Sequence, residues 1–140
     1  SAVRDTPAVI RGRFGDVEII PLPAAMGAEI RGLDLRKLDD RGFDILHRAY
    51  LDHLLLLVRG QKLSDADMVA VARRFGEFEL PPVTAEKVAH HVEHPEITVV
   101  SNVRVGGAPI GELGDGEVIW HSDYSFRRVI AGMRMLHALE

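Results

Sequence analysis

The alternation of apolar and polar positions divides the chain into short extended segments around two helical ones. Residues 17–22 (VEIIPL) and 28–35 (AEIRGLDL) set aliphatic side chains among polar ones between turn formers. They predict two short strands, with Gly27 and Gly32 loosening the backbone at the edges. Asp39 and Asp40 then stand where an N-cap belongs, and Phe43, Leu46, His47, Tyr50 and Leu54 follow at the spacing of one helical face. The continuous apolar run 54–58, closed by Arg59-Gly60, predicts a strand buried on both faces. Ser64 caps a second helix with Asp65 and Asp67 in its first turn, Met68, Val71, Ala72 and Phe75 as its apolar stripe, and Gly76 at its end.

Beyond the second helix the pattern changes. Residues 77–95 mix prolines, charges and three histidines and read as a loop. Residues 97–103 (ITVVSNV) predict a strand, Gly106-Gly107 a turn before residues 108–110, residues 111–116 a glycine-rich loop, and residues 118–121 and 131–139 two further strands. The order is that of an α+β protein with helices packed on a mainly antiparallel sheet system.

Composition narrows the chemistry. With 46% hydrophobic and 27% charged residues over 140 positions, the chain can bury a core, and a net charge of −4 offers no basic footprint for nucleic acid. It holds no cysteine, so disulfides, thiolate metal sites and cysteine nucleophiles are excluded, and His, Asp, Glu and Ser carry whatever chemistry there is. The first residues lack the apolar stretch of a signal peptide, and the longest aliphatic run is far too short to span a membrane; a cytoplasmic protein is expected.

The sharpest local feature is Trp120-His121-Ser122-Asp123-Tyr124-Ser125-Phe126. In an extended strand, His121 and Asp123 share a face and can offer an imidazole nitrogen and a carboxylate oxygen to one metal ion. Spacing alone is weak evidence: 7 His and 21 acidic residues in 140 positions yield about one His-x-acid triplet by composition. The chain holds two more, His91-Val92-Glu93 and His94-Pro95-Glu96. A strand-end histidine hydrogen-bonded to a neighbouring carboxylate satisfies the same spacing. The aromatics Trp120, Tyr124 and Phe126 suit the wall of a small-molecule site and equally a strand entering a core.

Four segments in order carry a family resemblance: residues 27–35 (GAEIRGLDL), residues 54–61 (LLLLVRGQ) ending in an R-x-Q corner, residues 72–77 (ARRFGE), and Trp120-His121-Ser122-Asp123. Together they resemble the N-terminal half of the taurine dioxygenase/2,4-dichlorophenoxyacetate dioxygenase family of Fe(II)- and 2-oxoglutarate-dependent dioxygenases, over residues 17–140. The resemblance implies a double-stranded β-helix (jelly-roll) core with N-terminal helices. It implies that His121 and Asp123 are two members of a two-His-one-carboxylate iron site, with Fe(II) and 2-oxoglutarate as cofactors. It implies as partners a small organic substrate and molecular oxygen, with succinate and CO2 as co-products. Asn102, Tyr124 and Phe126 resemble substrate-pocket positions, although core packing and a strand-end hydrogen bond account for them too. The loop at 79–84 (ELPPVT) lacks the His and Tyr of taurine-specific members, which disfavours taurine.

In the family, the third ligand and the arginine that pairs with 2-oxoglutarate lie well downstream of the iron motif, hence beyond residue 140. His137 stands where relatives carry an aromatic, and His90, His91 and His94 sit in the loop, so none replaces the third ligand. Residues 1–140 are therefore expected to be the N-terminal portion of one dioxygenase domain, incomplete at the C-terminus. A split chain, a non-catalytic scaffold with a partial metal site, and a homo-oligomer completing itself are the alternatives.

Overall fold

The computed structural model describes residues 8–78, 93–113, 120–123 and 127–139. The chain divides into two compact units at Leu63/Ser64.

The first unit is a four-stranded mixed sheet with one long helix. Strands β1 (Gly12–Phe14), β2 (Val17–Pro21) and β3 (Ala28–Arg31) run antiparallel in sequence order, with Gly12 opposite Ile19 and Ile19 opposite Ile30. A 3-10 turn (Leu35–Lys37) and helix α1 (Asp40–His53) then carry the chain across to β4 (Leu56–Leu57), which joins β3 in parallel. The period-two pattern sends Val17, Ile19, Ala28 and Ile30 into the core, where Leu35, Leu46 and Ala49 meet them. Gly32, at φ +76°, lies so close to β2's entry that a Cβ there would overlap the Asp16 carbonyl oxygen.

Helix α1 starts where the sequence predicts, with the Asp39 carboxylate accepting the Gly42 N–H at 2.7 Å. Its buried face keeps the predicted Leu46 but is otherwise shifted. Gly42, Leu46, Ala49 and His53 point inward, while Phe43 stacks on His47 at the side, rings 5.5 Å apart. Gly42 packs closely there: a Cβ would stand 3.0 to 3.3 Å from side-chain atoms of Asp39, Leu38 and Leu33. His53 is buried because its Nε2 donates to the Ile10 carbonyl at 2.7 Å, and next to it the Asp52 carboxylate accepts the Ile10 N–H at 2.9 Å. These two side chains pin the backbone leading into β1.

The strand expected over residues 54–58 shrinks to β4. Leu54 caps α1 in the left-handed conformation, φ 67°, its N–H donating to the Tyr50 carbonyl, so the apolar run is interrupted at its first residue. Leu54 and Leu55 are 65% and 55% exposed, and β4 is half-buried at the sheet edge rather than covered on both faces. The R-x-Q corner proves to be a structural crosslink: Gln61 Nε2 donates to the carbonyls of Leu33 and Arg59, and its Oε1 accepts the Leu35 N–H.

The second unit opens with α2 (Asp65–Arg73), capped by a reciprocal pair in which Ser64 Oγ accepts the Asp67 N–H and the Asp67 carboxylate accepts the Ser64 N–H. Val71 is its buried residue. Strands β5 (Val100–Ser101) and β8 (Glu112–Leu113) pair in parallel, and β6 (Arg104–Val105) and β7 (Ala108–Pro109) form an antiparallel hairpin. The hairpin turns through Gly106 and Gly107, both at positive φ, as the glycine pair predicts. The strand expected over 97–103 is thus confined to two residues; among the described residues antiparallel pairings predominate, as expected, with β3–β4 and β5–β8 parallel. The strand expected over 131–139 does not form a ladder. Ala131, Met133, Met135 and His137 are half-buried and alternate with exposed neighbours, an extended pattern without assigned strand pairing. Much of the segment expected at 118–121 lies outside the described residues.

Candidate metal centre

His121 and Asp123 lie in the second unit, in a turn region rather than a strand. The same-face argument from strand geometry therefore does not apply, yet the two side chains meet, His121 Nε2 standing 3.1 Å from Asp123 Oδ1. The other carboxylate oxygen, Oδ2, stands 2.9 Å from Arg134 Nε in an ion pair. His121, Asp123 and Arg134 are each about half exposed.

Two chemistries fit a nitrogen and a carboxylate oxygen at that distance. Nε2–H can donate to the carboxylate, or, with the ring proton on Nδ1, both atoms can face one cation. Two ligands at right angles, each about 2.1 Å from a shared ion, lie about 3.0 Å apart. The observed 3.1 Å matches that edge, and the donor set, one neutral nitrogen and one anionic oxygen, suits a divalent ion of borderline character such as Fe(II). Among the described residues, no cluster of three or more His, Asp or Glu could hold a metal. His94 is half-buried, and its carbonyl closes a turn by accepting the Ile97 N–H. His137 is half-buried in the 131–139 segment. His90 and His91 lie outside the described residues.

The remaining candidates divide. Asn102 is exposed between β5 and β6, and among the described residues no hydrogen bond joins it to His121 or Asp123. Tyr124 and Phe126 lie outside the described residues. Trp120 is fully exposed. Arg134 was missed by sequence reasoning, though it is the only Lys, Arg, Asp or Glu in residues 131–139 and the period-two pattern sets it on the exposed side. In the first unit, a recess lined by Gly32, Asp34, Arg36, Gly60 and Lys62 holds no metal-type donor set, and Arg36 closes on Asp34 through two hydrogen bonds of 3.0 and 2.8 Å.

Comparison with known proteins gives these features a family. Residues 18–140 match the model of the taurine catabolism dioxygenase TauD, TfdA family. The chain is 33% identical over 125 residues to an (S)-phenoxypropionate/alpha-ketoglutarate-dioxygenase of Delftia acidovorans, covering 82% of this chain and 39% of that one. It is 35% identical over 128 residues to the pentalenolactone F synthase of Streptomyces arenae, covering 89% and 42%. A crystal structure of a taurine dioxygenase from Burkholderia xenovorans superposes with a TM-score of 0.51 at 32% identity, over 59% of this chain and 28% of that one. The chain belongs to the TauD/TfdA family. It spans about two fifths of the length of the curated relatives it matches.

Proposed function

We propose that residues 1–140 form the N-terminal portion of a single dioxygenase domain, part of a non-haem Fe(II)- and 2-oxoglutarate-dependent enzyme that hydroxylates or oxidatively cleaves a small organic substrate. The observation that carries the reading is the 3.1 Å approach of His121 Nε2 to Asp123 Oδ1, inside the matched family segment. In this reading His121 contributes a neutral nitrogen and Asp123 an anionic oxygen that offsets part of the charge of Fe(II). Fe(II) and 2-oxoglutarate, when bound, supply the oxidising power, with O2 consumed and succinate and CO2 released. In this reading Asn102, Tyr124 and Phe126 belong to the substrate side of the site. The mixed sheet with few helices is the start of a jelly-roll core. The third ligand and the arginine for 2-oxoglutarate come from outside this sequence. The protein acts in the cytoplasm on a freely diffusing molecule, without nucleic acid or membrane as partner; among the described residues no helix is long and apolar enough to cross a membrane.

The half exposure of the pair, and the lack of a third donor beside it among the described residues, favour a second reading for this chain by itself: a scaffold with a partial metal site. Anaerobic addition of Fe(II) and 2-oxoglutarate separates the two. A visible charge-transfer band that disappears in His121→Ala supports the enzyme reading. If no band forms in the folded protein and His121→Ala leaves metal uptake unchanged, that reading is lost for this chain. Succinate release can then rank substrates, beginning with phenoxyalkanoic acids and lactones of the kind the relatives' names describe.

A further inference from the structure

We propose that Arg134 is a positioning residue for the metal-binding carboxylate, holding Asp123 Oδ2 so that Oδ1 alone faces His121; the inference rests on the reading of His121 and Asp123 as metal ligands. A carboxylate has two equivalent oxygens and a broad torsion about its last bond, so a lone aspartate can turn edge-on and offer both oxygens to a cation, or swing away. Here the two oxygens are made unequal. Oδ2 is held in an ion pair, 2.9 Å from Arg134 Nε, and Oδ1 stands 3.1 Å from His121 Nε2. That division presents one oxygen and one nitrogen at the separation of neighbouring ligands and leaves the other side of the ion open.

Arg134 and Asp123 are 47% and 45% exposed, so the ion pair adds little to folding, and a test of its role has to be read at the metal rather than in stability. Arg134 is also the only such charged residue in an otherwise apolar and histidine segment, on its exposed side, where a solvated arginine would have no need to reach back eleven residues to a carboxylate. The opposing effect is repulsion between the guanidinium and the cation, which would make removal of Arg134 strengthen binding. The two effects have opposite signs, and affinity decides between them.

Co(II) serves as the probe, read by its visible ligand-field absorption on the full chain, with infrared difference spectra of the carboxylate stretches. Arg134→Met is expected to lower Co(II) affinity on the order of 10-fold, the usual loss when a partner of a metal ligand is removed. It is also expected to narrow the splitting of the carboxylate stretches as Asp123 becomes bidentate. Arg134→Lys, a donor without the fixed fork, falls between Met and the native residue. Unchanged or tighter binding in Arg134→Met, with His121→Ala still abolishing uptake, overturns the inference and leaves the metal site standing. Uptake that survives His121→Ala overturns both. Should Arg134→Met fail to fold, Arg134→Lys decides: several-fold weaker binding supports the role, and native affinity overturns it.

Discussion

At the scale of single residues, backbone geometry and polar satisfaction set the largest effects. Gly32→Ala should destabilise the protein by at least about 2 kcal/mol, since the new Cβ both strains a positive φ and overlaps the Asp16 carbonyl; the midpoint of a urea melt at unchanged slope would show it. Gln61→Ala leaves the Leu33 and Arg59 carbonyls and the Leu35 N–H without their side-chain partner, and should cost about 1–2 kcal/mol in the same assay. The family motif marks Gln61 in the sequence, but its purpose was not legible there, because the groups it joins are 26 and 28 residues away. His121 and Asp123 were legible as a pair from two residues of spacing. Arg134 was not, since nothing local says which carboxylate an arginine eleven positions later will reach.

At the scale of elements, caps were legible in full and helix faces in part: Val71 and Leu46 are buried as the sequence predicts, while the rest of the inward face of α1 is not the predicted set. Asp39 and Ser64 sit at N-cap positions as the sequence predicts, because capping depends only on the next three residues. The buried face of α1 depends on what packs against it, which local spacing does not state: Gly42, Ala49 and His53 are buried and Phe43 is half-buried at the side. Ser64→Ala should cost about 1 kcal/mol in thermal or chemical melts, with a larger loss of helicity than the exposed site would suggest. The pin at Ile10 gives a pH dependence. The hydrogen bond from Arg48, and after it that from the Ile10 N–H, holds the Asp52 carboxyl below its ordinary range. The unfolded chain therefore binds the proton at higher pH than the folded one, and the contribution present above about pH 4 is lost as pH falls through the lowered native value. Asp52→Asn should flatten the acid limb of the stability profile and loosen β1 at neutral pH, which amide exchange at Arg13 and Phe14 can follow.

At the scale of the whole molecule, order is uneven between the two units. The interlocked β2 and β3 carry the fully buried Ile19 and Ile30, whereas residues 131–139 are extended without assigned strand pairing. Amide exchange should accordingly be slowest at Ile19 and Ile30 and fast across 131–139; equal protection in both would contradict the assigned pairing. The second unit also exposes Val129, Ile130, Leu136 and Leu139 by 66% or more, and sedimentation should show concentration-dependent association that Leu136→Lys reduces. The joint between α1 and β4 sets a limit of another kind. Only Leu54 and Leu55 separate the helix from the strand, and Leu54 makes the reversal by itself at φ 67°. Such a joint works as a ruler: one inserted residue would slide Leu56 off Ala28, turn the strand over, and carry Gln61 away from the Leu33 carbonyl and the Leu35 N–H. Length, more than side-chain identity, is what this stretch has to keep, and insertions here should be far less tolerated than at the Gly106-Gly107 turn.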